Sequence, residues 1–142
     1  MSDPIYKREI LRLAADADGA GKLLEPHAHG AAFNPACGDK VEFDIAIDTS
    51  GRLIALAHRT KACVLAQASS AILGREAKGR TRSEIERLHA EVEAMLAEPG
   101  APPPPPFEAY AAFEGATSFR NRHKCVLLPI EALLAAFGGE KE

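Results

Sequence analysis

Four side chains stand out for the chemistry they would do together: Cys37, Asp39, Cys63 and Cys125. Three soft thiolates and one hard carboxylate make a four-donor set suited to a tetrahedral metal ion. By spacing alone the question stays open. There is no C-x-x-C pair, so the zinc-ribbon and zinc-finger signatures are absent. A lone cysteine also serves as a small buried hydrophobe, and Cys63, among Ala62, Val64, Leu65 and Ala66, suits that role.

Local context sharpens the picture. Cys37 lies in Asn34-Pro35-Ala36-Cys37-Gly38-Asp39, a tight-turn sequence. In an extended stretch, side chains two apart point the same way, so Cys37 and Asp39 would share one side. Cys63 follows a second strand closely and stands where a helix would begin, a place that favours a thiolate. Cys125 ends the basic run Arg120-Asn121-Arg122-His123-Lys124, whose cations would lower a thiol's pKa. The same run also reads as a solvated surface beside a buried cysteine.

These residues need elements to position them. Tyr6 to Ala17 reads as an amphipathic helix with Ile10, Leu11 and Leu13 on its apolar face. A glycine-containing segment follows, in which Leu23 and Leu24 mark a short strand. Lys40 to Asp48 is the clearest strand: Val41, Phe43, Ile45 and Ile47 alternate with Glu42, Asp44, Ala46 and Asp48, giving a buried face and a wet one. Asp48-Thr49-Ser50-Gly51 turns the chain, and Arg52 to His58 returns as the second arm of a hairpin. The start of the first arm and the end of the second are then neighbours, which brings Cys37 close to Cys63. Cys63 to Leu73 reads as a buried helix stopped by Gly74. Thr81-Arg82-Ser83-Glu84 is a capping box opening a helix with Ile85, Leu88, Val92, Met95 and Leu96 on one side. That helix stops before Pro99-Gly100. Pro102 to Pro106 reads as a stiff polyproline spacer, Phe107 to Phe113 as a short helix, Phe119 to Leu128 as a connection, and Pro129 to Phe137 as a last helix with proline in its first turn. The fold class is α+β: a small antiparallel sheet covered on one face by helices.

Composition excludes several functions. The 142 residues suit a single domain, 1–142. A formal charge of -3 gives no nucleic-acid footprint. No apolar run reaches the ~20 residues that span a bilayer, and the start of the chain lacks a signal-peptide pattern, so the expected location is cytoplasmic. Three cysteines, an odd number, argue against a disulfide framework. Gly19 to Lys22 lacks the spacing of a phosphate loop, and a calcium loop begun at Asp16 would have His27 at its twelfth position. His27 and His29 read as loop histidines before metal ligands. Glu42 and Asp44, on the wet face, need no catalytic role.

The strings Asn34-Pro-Ala-Cys-Gly-Asp39, Ala62-Cys-Val-Leu-Ala-Gln-Ala-Ser-Ser70 and Arg122-His-Lys-Cys125-Val-Leu-Leu128 resemble the three cysteine motifs of the IscU/NifU-type iron–sulfur cluster assembly scaffolds. The similarity runs from about Asn34 to the C-terminus, with a weaker echo in the first helix. Within the family the chain is similar to the SufU branch. The stretch from Cys63 to Cys125 is long enough for the extra helical and proline-rich insertion of that branch, here about 79–106. The Leu-Pro-Pro-Val-Lys segment that IscU proteins present to an Hsp70 chaperone is missing, and Lys124 stands where IscU has a histidine. His123 is one position early for that ligand but within reach of the site. Two departures are Ala62, in place of the usual glycine, and Ala14 to Lys22, in place of the family's N-terminal partner-contact segment.

The resemblance implies that Cys37, Asp39, Cys63 and Cys125 hold Zn²⁺ or a transient [2Fe–2S] cluster. It implies two roles. In the SufU role, zinc holds the ligands and a SufS-like cysteine desulfurase passes persulfide sulfur to Cys37, with Cys125 as runner-up and Arg122 in the partner contact. In the scaffold role, a cluster is built and handed to iron–sulfur client proteins. Either is a relay more than an independent enzyme, and no Hsp70, nucleic acid or membrane partner is expected. A reading of a different class is a helical adaptor with buried cysteines and no metal.

Overall fold

The computed structural model describes residues 8–36, 38–98, 102–117 and 119–138. Tyr6, the helix stop at Pro99-Gly100 and Cys37 lie outside them. In chain order the elements are α1 (Arg8–Asp16), β1 (Ala28–Asn34), β2 (Asp39–Ile47), β3 (Leu53–Lys61), α2 (Val64–Glu76), α3 (Arg82–Ala97), a 3₁₀ helix (Glu108–Ala116) and α4 (Arg120–Phe137). The sheet is antiparallel in the order β1-β2-β3. α4 crosses β1 and β2, α2 packs on β3 and on α4, and α1, α3 and the 3₁₀ helix lie against these two. This is the expected α+β architecture.

The β2–β3 hairpin forms for the reasons its sequence suggests. Val41, Phe43 and Ile45 are fully buried under the helices. At the turn, Asp48 Oδ1 accepts from the Ser50 and Arg52 amides (2.9 and 3.0 Å). The capping box is also present: Thr81 Oγ1 accepts from the Glu84 amide, and Glu84 Oε1 accepts from the Thr81 amide. All five apolar residues of the α3 stripe are buried, each contributing ~1.5–3 kcal/mol by removal from water.

Four expectations need correction, each for a physical reason. Leu23 and Leu24 form no strand, and Leu24 is fully exposed; the strand is Ala28–Asn34 instead. Its Ala-Gly-Ala-Ala composition hides it, because such residues have low strand propensity. They are small because α4 lies directly on them: a methyl on Gly30 would overlap the backbone of Ala135 and Ala136. Gly74 does not stop α2, which runs on to Glu76. Gly74 is where the backbone of Asp18 crosses that helix, leaving no room for a Cβ. Pro129 does not begin the last helix. α4 starts nine residues earlier, at Arg120, and carries Pro129 in its interior. A proline there removes a donor but keeps a helical φ, and Val126, Leu127, Leu128 and Ile130 are buried on the sheet and α2, so packing outweighs the lost bond. Finally, the proline run is no extended spacer: Pro103 is buried, and the Phe107 amide donates back to the Pro104 carbonyl (3.0 Å).

Candidate metal centre

The site is built where the sheet, α2 and α4 meet. Asn34 pairs with Asp39 across the β1–β2 ladder, and the Gly38 amide donates to the Asn34 carbonyl (2.9 Å). Asp39 then opens β2. Strand alternation puts it on the helix-facing side with Val41, Phe43 and Ile45, and it is buried. β3 returns with Lys61 opposite Lys40. Just beyond, Cys63 takes extended backbone as the N-cap of α2. Cys125 comes in from the second turn of α4 and is only 1% exposed.

Sequence separation thus collapses to contact. A carboxylate oxygen of Asp39 and the sulfurs of Cys63 and Cys125 all lie within 4.8 Å of one another. Cys125 Sγ donates to Asp39 Oδ2 at 3.7 Å. The Cys63 thiol is pulled down from 9.0 to about 6. The Cys125 thiol beside it contributes most; burial opposes; the Ala66 and Leu65 amides at the start of α2 lower it further, and the Asp39 carboxylate raises it. Cys125 has one proton to give, and both Asp39 and the Cys63 thiolate draw on it. A thiolate at Cys63 is ready to bind a cation.

The donor set fits a tetrahedral ion. With Zn–S near 2.3 Å and Zn–O near 2.0 Å, tetrahedral geometry sets neighbouring sulfur and oxygen ligands about 3.5 Å apart and two sulfurs about 3.8 Å apart. The 3.7 Å between Cys125 Sγ and Asp39 Oδ2 sits close to the first value. The three atoms need only small adjustments to surround one ion. Cys37, the fourth expected ligand, lies outside the described residues.

Other sequence candidates are placed elsewhere. His123 does not reach the site; its Nε2 faces the carbonyls of Ala116 and Thr117 (3.1 and 3.0 Å), which close the end of the 3₁₀ helix. Arg122 is half-buried in the first turn of α4. His27 accepts the Ile47 amide at Nδ1 (3.0 Å), and His29, on β1, bonds to Asp44 Oδ1 (2.9 Å). Neither joins the cysteine group. A cleft of 520 Å³ between α1, α2 and the 3₁₀ helix, lined by Arg12, Leu13, Glu108 and Ala112, holds none of the site residues.

Asp44 also departs from the sequence reading. It was expected on the wet face, yet it is 5% exposed. Arg59, His29 and the Leu23 amide surround its carboxylate. Burial alone would raise its pKa, but the Arg59, His29 and Leu23 hydrogen bonds outweigh burial and hold it down to about 2. Only the strand register, with Arg59 opposite Glu42 and one step from Asp44, reveals the cluster. The segment that covers it, Gly21 to Leu23, runs over the outer face and accepts from Arg59 at the Gly21 carbonyl.

The model of the NifU-like N terminal domain family matches residues 5–126, most of the chain. The chain belongs to this family. Among solved structures, the NifU-like protein (N-terminal) from Brucella abortus, described as nitrogen-fixing, is 31% identical to this NifU-like chain. It superposes with a TM-score of 0.89 over 96% of this chain and 94% of its own. A protein from Fervidobacterium islandicum AW-1, described as a putative iron–sulfur cluster assembly scaffold protein for the SUF system, is 22% identical with a TM-score of 0.82, covering 96% and 99% of the two chains. At that identity the likeness speaks for the fold. A hypothetical protein, 22% identical with a TM-score of 0.73, shares the fold too, over 91% of this chain and 96% of its own. Comparison with curated proteins finds no match. Among the described residues no helix is long and apolar enough to cross a membrane.

Proposed function

We propose that this NifU-like chain is an iron–sulfur cluster assembly protein of the SufU kind. In this reading Cys37, Asp39, Cys63 and Cys125 hold Zn²⁺, and Cys37 receives sulfur from a cysteine desulfurase. The observation that carries the reading is the convergence of Asp39, Cys63 and Cys125, from three separate elements, on one point. The Fervidobacterium islandicum relative, described as an assembly scaffold for the SUF system, supports the same role.

Zinc, when bound, would keep the thiolates deprotonated and fixed. The chain's own residues do the rest. Cys63 offers its sulfur as thiolate at the α2 N-terminus. Asp39 supplies a hard oxygen among soft sulfurs, the weakest donor of the set, suited to a site that must open. In the transfer, the Cys37 thiolate attacks the outer sulfur of the desulfurase persulfide. A new S–S bond forms on Cys37, the old S–S bond breaks, and the desulfurase cysteine leaves as thiolate. Cys125, the runner-up, is too buried for a direct approach by a second protein. Arg122, half-buried at the edge of the same helix, is our choice for the desulfurase contact. The segment at about 79–106, with α3 in it, is the branch-specific insertion of this single domain.

The second reading keeps the site and changes its cargo: a [2Fe–2S] cluster is assembled on the same ligands and delivered to client proteins. The description of the Fervidobacterium islandicum protein as a scaffold favours this role as much as the first. Metal analysis separates the two. Protein purified without added metal should hold near one zinc per chain in the SufU reading, whereas iron with labile sulfide favours the scaffold. Adding the wild-type protein should stimulate desulfurase turnover, and Cys37→Ala should not. Full stimulation by Cys37→Ala removes it as acceptor.

A further inference from the structure

Ser69 and Ser70 stand side by side in the middle of α2, and neither is exposed. A polar group at this depth costs ~1–3 kcal/mol if left unpaired. Each therefore has a partner. Ser70 Oγ accepts from Thr60 of β3 (2.8 Å). Ser69 Oγ lies 2.8 Å from the Val126 carbonyl oxygen and 2.8 Å from the Tyr110 hydroxyl.

The direction of the second set follows from valence. A carbonyl only accepts, so with the Ser69 proton on the Val126 carbonyl the Tyr110 proton faces two acceptors of residue 69, Oγ at 2.8 Å and the backbone carbonyl at 3.3 Å. The phenol is fully buried and burial pushes its pKa far up, so it remains a donor. Tyr110 thus bonds to Ser69 of α2, and the Ser69 hydroxyl bonds on to the Val126 carbonyl of α4. The Ser69–Val126 link lies close to the site. Ser69 belongs to the helix capped by Cys63, about 9 Å along its axis. Val126 adjoins Cys125. Apolar contacts between α2 and α4 hold the helices together but are non-directional. A hydrogen bond has a fixed length and angle, so these bonds set the register of one helix on the other.

We propose that Tyr110 and Ser69 are positioning residues that fix the placement of the Cys125 sulfur relative to the Cys63 sulfur and thereby slow the release of a bound metal. The proposal rests on the metal-site reading above. Metal–ligand distances tolerate about ±0.2 Å, far less than an unpinned helix pair can slide.

The test uses the full zinc-loaded chain and two readouts: the rate at which a chelator removes Zn²⁺, and the visible ligand-field band after Co²⁺ replacement. Tyr110→Phe preserves the ring's packing; Ser69→Ala removes the middle link. Leu88→Ala, in the α3 core, is the control for general destabilisation. Both hydrogen-bond variants should release zinc about fivefold faster than wild type, as expected for one net hydrogen bond, and shift the Co²⁺ band. Wild-type release rates and bands in both of these variants would overturn the proposal, and so would equal acceleration by Leu88→Ala. A wild type that takes up neither metal would overturn the underlying reading and this one with it.

Discussion

Asp44→Asn should remove roughly 2 kcal/mol of stability that depends on acid. A carboxyl group held at about 2 in the folded protein, against 3.8 for an ordinary aspartate, stabilises the fold by about that much once it is ionised. The Asp44 side chain is only 8% exposed, so solvent screening takes little from the figure. The sign follows from proton binding. Below 3.8 the unfolded chain takes up a proton that the folded one resists until about 2. Stability is therefore fully present above about pH 4 and drains away as the pH falls through about 2. Urea denaturation with a chelator present, at neutral pH and again near pH 2, measures the effect. Wild type should exceed Asp44→Asn by roughly 2 kcal/mol at neutral pH, and the gap should shrink to a few tenths near pH 2. Comparing the two proteins cancels the titration of every other carboxylate. Parallel loss of stability in both, with the gap unchanged, would show that Asp44 is not held by Arg59 and His29 and that the outer face of the sheet is open.

Three further outcomes follow. Gly30→Ala should destabilise the fold by about 2 kcal/mol or more, as overpacking against backbone does; the new methyl would stand 2.6 Å from Ala136 Cα where ordinary contact begins at 3.4 Å, and an unshifted urea midpoint would mean α4 does not cross β1 there. Thr81→Ala should cost about 1 kcal/mol by opening the capping box, read as a lower thermal midpoint; no change would place the start of α3 elsewhere. Asp39→Ala should weaken zinc binding at least about tenfold, within the range for loss of an ordering or ligating group, measured by competition with a chromophoric chelator; unchanged affinity would take Asp39 out of the ligand set.

The family was legible in the chain because its motifs are short and their residue types rare: the turn from Asn34 to Asp39, the Cys63 string and the Cys125 string needed no coordinates. The hairpin and α3 were legible for a related reason. Alternation in β2 and the three–four spacing of α3 reflect one buried face each, so local pattern and burial agree. What sequence could not decide were the places where another element comes too close for a side chain, or where packing overrides a local breaker. β1 looked like loop because α4 demands small residues there. Gly74 and Pro129 looked like helix ends, yet one is a crossing point and the other is carried through by the burial around it. Asp44 looked wet until the register brought Arg59 beside it. The site divides in the same way. Which residues bear thiols and a carboxylate is written in the chain. That Asp39, Cys63 and Cys125 meet within 4.8 Å depends on a sheet edge, a helix start and a crossing helix, and only their packing in three dimensions brings those together.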